Sequence, residues 1–210
     1  MSRHIFFDNS NIFGGAQREA ERLEPFIPWV AIRIYYRNLF RLIEGRGTIS
    51  TRVLSGSVPP GNDPLWQTAR DLGYDTNLLR RVENDDGRMV EQAVDEMLHL
   101  KIANTILDNT SRQHQCLVIA SGDGNVSEYD TSFPLQAERA LRQGWEVEIW
   151  SWSLQMTTRY ASIADANSGK VHINSLDPYY ASVTFVKGGG YRFAGDPIHV
   201  QERVVSPLRF

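Results

Sequence analysis

The chain has a single cysteine, Cys116, so no internal disulfide can form. Its neighbours Leu117, Val118 and Ile119 are apolar, and it reads as a buried structural thiol. That usage fits a reducing compartment better than a disulfide-stapled secreted domain. No run approaches the ~20 consecutive apolar residues that a membrane-spanning helix needs. The opening MSRHIFFD lacks the apolar stretch and small-residue cleavage site of a secretory leader, so a cytoplasmic protein is the expectation. Lysine is scarce: Lys101, Lys170 and Lys187 stand against a Lys+Arg total of 22. The formal net charge of -3 argues against a surface built for tight, purely electrostatic nucleic-acid binding. Arginine does suit planar, bidentate phosphate contacts, although genomic composition bias explains the excess equally well. The histidines His4, His99, His114, His172 and His199 show no close spacing of the zinc-ligand type. Gly188 to Gly190 lack the lysine and hydroxyl of a phosphate-binding loop and read as a hairpin turn.

What is present is an alternation of strand and helix patterns over 210 residues, enough for one α/β domain. HIFFDNSN reads as a buried strand followed by a loop. A helix is expected over Glu24 to Glu44, opened by Pro25 and Pro28. Ser50 to Ser55 reads as a strand, Leu65 to Leu72 as a helix and Tyr74 to Arg80 as a third strand. Val90, Val94, Leu98, Ile102 and Ile106 recur at helical spacing and predict a long amphipathic helix. QCLVIA is the clearest strand, Pro134 to Gly144 a helix and Glu146 to Trp152 another strand. This order implies a parallel sheet covered on both faces. The main domain is expected over 1-155, with 156-210 as a short β-rich C-terminal extension packed on it.

Ligands of an open parallel sheet bind beyond the carboxyl ends of its strands. Two expected strands end there in an acid: Asp8 in DNSN and Asp123 in SGDGN. Aspartate after a strand is also a common turn-former and helix cap. Glu91, Asp95 and His99, spaced four apart, would share one stripe of the long helix beside its apolar face. Acids at a core boundary need a partner or a metal, and hard cations such as Mg²⁺ and Mn²⁺ prefer such oxygen ligands. A cation held by Asp8, Asp95 and Asp123 would activate water against a phosphodiester.

These segments resemble the NYN domain family, a branch of the PIN-like nuclease superfamily. Asp8-Asn9-Ser10-Asn11 is similar to its D-N-x-N turn. EQAVDEMLHLKI resembles its E-x-G-V-D helix, with Glu91, Val94 and Asp95 in place and Ala93 where glycine is usual. LVIASGDGN resembles its S-G-D-x-D strand end, and AERALRQGWEVEIWSW its next helix and strand. The match runs in order over roughly residues 3 to 152. The resemblance implies a three-layer α/β/α PIN-like, Rossmann-like fold with strand order 3-2-1-4-5. It implies Mg²⁺- or Mn²⁺-dependent cleavage of single-stranded RNA, with Asp8, Asn11, Asp95 and Asp123 as the site and Glu91 as a further ligand or base. One departure stands out: Asn125 occupies the position of the family's second aspartate. Glu128 or Asp130 would have to supply the missing charge. Without it, a catalytically weak or inactive RNA-binding or protein-interaction module is the alternative.

Around this site, Arg33, Arg37 and Arg41 lie four apart on the expected first helix, as a basic ridge or an ordinary solvated face. Arg80, Arg81 and Arg88 bracket the acidic loop and are the better candidates for RNA contacts. Homo-oligomerisation is left open.

Overall fold

Ile5, Phe6 and Phe7 form an unbroken apolar run, and all three are fully buried. Such a run suits an interior strand covered on both faces. The computed structural model describes residues 1–57, 63–79, 81–83, 89–91, 94–110, 114–127 and 129–209. Its main sheet has six strands: β1 (Ser2–Asp8), β2 (Thr48–Ser57), β3 (Asp75–Leu79), β4 (Gln115–Ala120), β5 (Glu146–Ser151) and β6 (Val171–Ser175). Every adjacent pair is parallel, in the order β3-β2-β1-β4-β5-β6. The expected order of the first five therefore holds, and a sixth strand is added at the edge. The segment VHINS was read as part of a C-terminal β-rich extension, because polar alternation marks an edge strand but not its partner. It pairs with β5 from Val147↔Val171 to Ser151↔Ser175.

The numbered helices are α1 (Asn9–Leu23), α2 (Tyr36–Glu44), α3 (Asp63–Asp71), α4 (Val94–Asp108), α5 (Phe133–Arg142) and α6 (Thr158–Ala166). Alternation along the strands divides them into two layers. Ile5, Phe7, Val118 and Ala120 pack on one face with Ile12, Ala16 and Ala20 of α1, Leu39 and Phe40 of α2 and Trp66 of α3. Phe6, Leu117 and Ile119 pack on the other with Leu98 and Ile102 of α4, Ala137 of α5 and Tyr160 of α6. The result is a three-layer α/β/α domain, in which full burial of each of the larger aliphatic and phenyl side chains contributes roughly 1.5–3 kcal/mol.

Several local expectations change. Asn9–Leu23 is a helix, not a loop, and Glu24 to Glu44 is not one helix. Past α1 come a 3₁₀ turn at Trp29–Ala31 and a strand at Ile32–Ile34; only Tyr36–Glu44 is helical. The Ile32–Ile34 strand pairs antiparallel with Thr184–Val186, a long-range partner that helical spacing cannot reveal. Met89–Glu91 is a strand opposite Arg81–Glu83, so the helix begins only at Val94. The triple glycine is not the hairpin turn. Phe193 faces Asp196, and the two residues between them, Ala194 and Gly195, both have positive φ (51° and 96°). That is the two-residue turn that matches strand twist.

At the amino end of the sheet, Arg3 donates to both oxygens of Glu148 (2.8 and 2.7 Å) and to the Ile43 carbonyl (3.0 Å). Burial pushes the Glu148 carboxyl up, but Arg3 outweighs it and holds the group below its usual range. Among the described residues, no helix is long and apolar enough to cross a membrane.

His99 of α4 is buried edge-on to Phe133, and neither ring nitrogen has a partner among the described residues. Burial, aided by the Arg139 charge, pushes its pKa from 6.5 down to about 4. The unfolded chain then binds the proton more tightly, so this group's effect is loss of stability as pH falls from 6.5 toward 4. Denaturation measured across that window is expected to be flatter for His99→Leu than for the wild type; identical slopes would overturn this account.

Candidate functional site

β1 ends where its apolar run meets Asp8, and the chain turns at once into α1. Asp8 has extended backbone (φ -89°, ψ 99°) and caps that helix: Oδ1 accepts from the Asn11 amide at 3.0 Å. Its Oδ2 accepts from the Ser121 hydroxyl, also at 3.0 Å. The side chain is therefore buried and engaged at both oxygens. Asn11 reaches back, and its Oδ1 accepts from the Gly122 amide at 2.9 Å. These bonds tie the end of β1 to the segment that leaves β4.

That segment holds Asp123. Its amide donates to Ser121 Oγ (3.2 Å), so Ser121 stands between the two acids. Asp123 Oδ1 accepts from the backbone amide (3.2 Å) and the side-chain amide (2.7 Å) of Asn125. Asp123 Oδ2 has no hydrogen-bond partner among the described residues. Behind the loop, the buried Tyr160 hydroxyl donates to the Asp123 carbonyl at 3.4 Å. Burial raises the pKa of that phenol, and the charges of both Asp123 and Asp8 raise it further. Both carboxylates therefore act within electrostatic range of one hydroxyl.

The glycines of SGDGN have a steric cause. A Cβ on Gly122 would lie 2.4 Å from Ser151 Oγ and 2.5 Å from the Gln155 carbonyl oxygen. A Cβ on Gly124 would lie 2.4 Å from Thr157 Oγ1. Only glycine allows the loop to lie so close to the segment after β5. In front of it opens a polar cavity of about 440 Å³, lined by Asn11, Arg18, Gly122, Asp123, Gly124, Asn125, Leu154, Gln155 and Thr157.

The structure thus brings Asp8, Asn11, Asp123 and Asn125 together. Asp95 lies in the first turn of α4, half-buried. Among the described residues, which include Asp8, Asp95 and Asp123, no group of three or more His, Cys, Asp or Glu side chains could hold a metal ion. The expected Glu91–Asp95–His99 stripe does not exist, because Glu91 belongs to the strand before α4 and His99 is turned into the core. The backbone of Arg81 lies opposite Glu91; the side chains of both, and all of Arg80, Arg88 and Glu128, lie outside the described residues. Asp130 sits at positive φ (52°) in a turn and does not line the cavity.

The basic ridge is also broken. Arg33 lies on the Ile32–Ile34 strand and donates to the carbonyls of Val30 and Ile32, whereas Arg37 and Arg41 are on α2. The cation that does line the cavity is Arg18, exposed and with no partner among the described residues. It was missed because α1 was missed. A usable signal existed: Asp8 as a cap, then Ile12, Ala16 and Ala20 at i, i+4 spacing. Leu154, Gln155 and Thr157 carry no such signal; only the close approach to Gly122 and Gly124 brings them there.

No family model matches the sequence, and no curated protein matches it. Among solved structures, the crystal structure of a protein of unknown function from Vibrio parahaemolyticus is similar. The likeness has a TM-score of 0.53 at 12% identity and covers 84% of this chain and 94% of that one. At that identity, what is shared is the α/β fold.

Proposed function

We propose that the cavity beside Asp123 takes single-stranded RNA and that the chain is a Mg²⁺- or Mn²⁺-dependent endoribonuclease. The observation that carries this reading is the Asp8–Ser121–Asp123 link between the carboxyl ends of β1 and β4. Those neighbouring strands send their connections to opposite sides of the sheet, and ligands bind at such switch points. The resemblance to NYN domains assigns RNA and metal to this place.

The donor set fits a loosely held hard cation better than a caged one. Mg²⁺ commonly keeps several waters and uses one or two carboxylates plus substrate phosphates. Asp123 would hold it through Oδ2. The oxygens of Asp8 are engaged by Asn11 and Ser121, so Asp8 positions the site from behind. The cation, when bound, supplies charge stabilisation at the phosphoryl oxygens and a lower pKa for attacking water. The chain's own parts are Asp123 as the half-buried charge at the cavity wall, Asn11 as the brace of the Gly122 amide and Arg18 as the phosphate contact.

Calorimetry with Mn²⁺ is expected to show weak, millimolar binding to the protein alone and tighter binding with an unstructured RNA present. Tight binding without RNA would overturn the substrate-completed site. RNA cleavage unaffected by metal removal would overturn the metal dependence, and no cleavage in either metal would overturn the enzyme reading.

A second reading, a catalytically inactive RNA-binding module on the same fold, is favoured by Asn125 in place of an acid and by the lack of a three-ligand group among the described residues. RNA binding without cleavage in either metal would establish it.

A further inference from the structure

A second cavity of about 440 Å³ lies between α5 and α6. Its apolar wall is Leu141 and Ile163, and two arginines, Arg142 and Arg159, line it together with one acid, Glu138. Arg142 has no partner among the described residues, and both arginines are exposed. The cavity adjoins the candidate site: Arg159 Nη1 donates at 3.3 Å to the carbonyl of Gly124, which lines the Asp123 cavity. Two residues earlier, Thr157, the cap that precedes α6, lines that same cavity, and its Oγ1 accepts from the Arg159 amide at 3.5 Å. Arg159 of the second cavity thus contacts Gly124 and Thr157 of the first.

We infer that the α5–α6 groove is a second nucleotide subsite, in which an RNA strand leaving the Asp123 cavity lays its backbone on Arg159 and Arg142 and packs a base on Leu141 and Ile163. This rests on the RNA reading of the first cavity and extends it. The chemistry is that of a single-strand channel, in which cations track the phosphates, with the apolar Leu141–Ile163 wall in the place of the usual aromatic platform. The volume lies within the usual ~300–1,000 Å³ of a ligand pocket and gives room for a nucleotide. Net charge along the groove is positive, since Arg142 and Arg159 outnumber Glu138. Specificity for base identity is not expected, because the wall is apolar and stacking is tolerant of sequence.

The test compares a short RNA, which fills only the first cavity, with a longer one that also reaches the groove. Fluorescence anisotropy would follow labelled oligouridylates of about 4 and about 12 nucleotides, spanning the usual site sizes of single-strand binders. The full chain and Arg142→Glu would be compared at several salt concentrations. Arg142 is the cleaner choice because Arg159 also braces the Gly124 carbonyl. The expected result is about tenfold weaker binding of the longer RNA, a salt slope shallower by about one, and unchanged binding of the short RNA. Arg142→Gln, with the same shape of loss but smaller, would separate lost attraction from added repulsion. An equal loss for both lengths, or no loss for either, overturns the groove while leaving the RNA reading in place. Failure of the wild type to bind either RNA overturns the RNA reading itself, and the groove with it.

Discussion

Asp123→Asn is expected to lower metal-dependent RNA cleavage by about 10²–10³-fold, the range seen when one electrostatic contributor to a transition state is removed. The variant keeps the size and shape of the side chain, and its amide oxygen can still accept from Asn125, so the loop that follows β4 should hold. Its backbone amide bond to Ser121 and the Tyr160 bond to its carbonyl are untouched. What disappears is the negative charge and the one carboxylate oxygen at the cavity wall without a partner among the described residues. Thermal melting should therefore match that of the wild type while single-turnover cleavage in Mn²⁺ collapses. Cleavage at the wild-type rate would remove Asp123 from the mechanism and, with it, the choice of this cavity.

Asp8→Ala should act mainly on stability. Asp8 caps α1 and accepts the Ser121 hydroxyl in a buried position. Loss of a cap costs about 0.5–2 kcal/mol, and loss of a hydrogen bond to a charged group about 1.5–3 kcal/mol. Together the expected cost is about 2–5 kcal/mol. At roughly 2–4 °C per kcal/mol for a domain of this size, the melting temperature should fall by about 4–20 °C. Asp8→Asn retains an acceptor for the Asn11 amide and should lose less, about 1–2 kcal/mol. A melting curve for Asp8→Ala that coincides with the wild type would mean that the bridge between β1 and β4 contributes nothing. Activity would fall in the alanine variant too, because Ser121 also accepts from the Asp123 amide and Asn11 braces Gly122. The two variants differ in their signature: Asp123→Asn loses rate and not stability, whereas Asp8→Ala loses both.

Much of the frame was legible in the residues. The run Ile5-Phe6-Phe7 and the run Cys116 to Ala120 are apolar without break, which only strands buried on both faces require. Each runs into a short polar segment containing an aspartate, so the strand-end positions of Asp8 and Asp123 follow from hydrophobic periodicity and, for Asp123, from glycine. The order of the first five strands came from resemblance rather than from periodicity, which does not encode lateral neighbours.

The chain's own pattern therefore determined that the two central segments are buried strands and that each runs into an acid. Tertiary structure decided the rest, for reasons that lie in contacts distant in sequence. Ile32–Ile34 is a strand because Thr184–Val186 lies beside it, although Arg33, Arg37 and Arg41 have helical spacing. Asn9–Leu23 is a helix despite Gly14 and Gly15, because Gly15 lets Trp152 and Gln155 approach where a Cβ would lie 2.2 and 2.4 Å from them. Glu91 is off the helix because Met89–Glu91 pairs with Arg81–Glu83. The carboxylates of Asp8 and Asp123 were visible from the beginning, but their unequal states were not. Asp8 is engaged at both oxygens and Asp123 at one, and that difference exists only once Ser121, Asn11 and Asn125 have been folded around them.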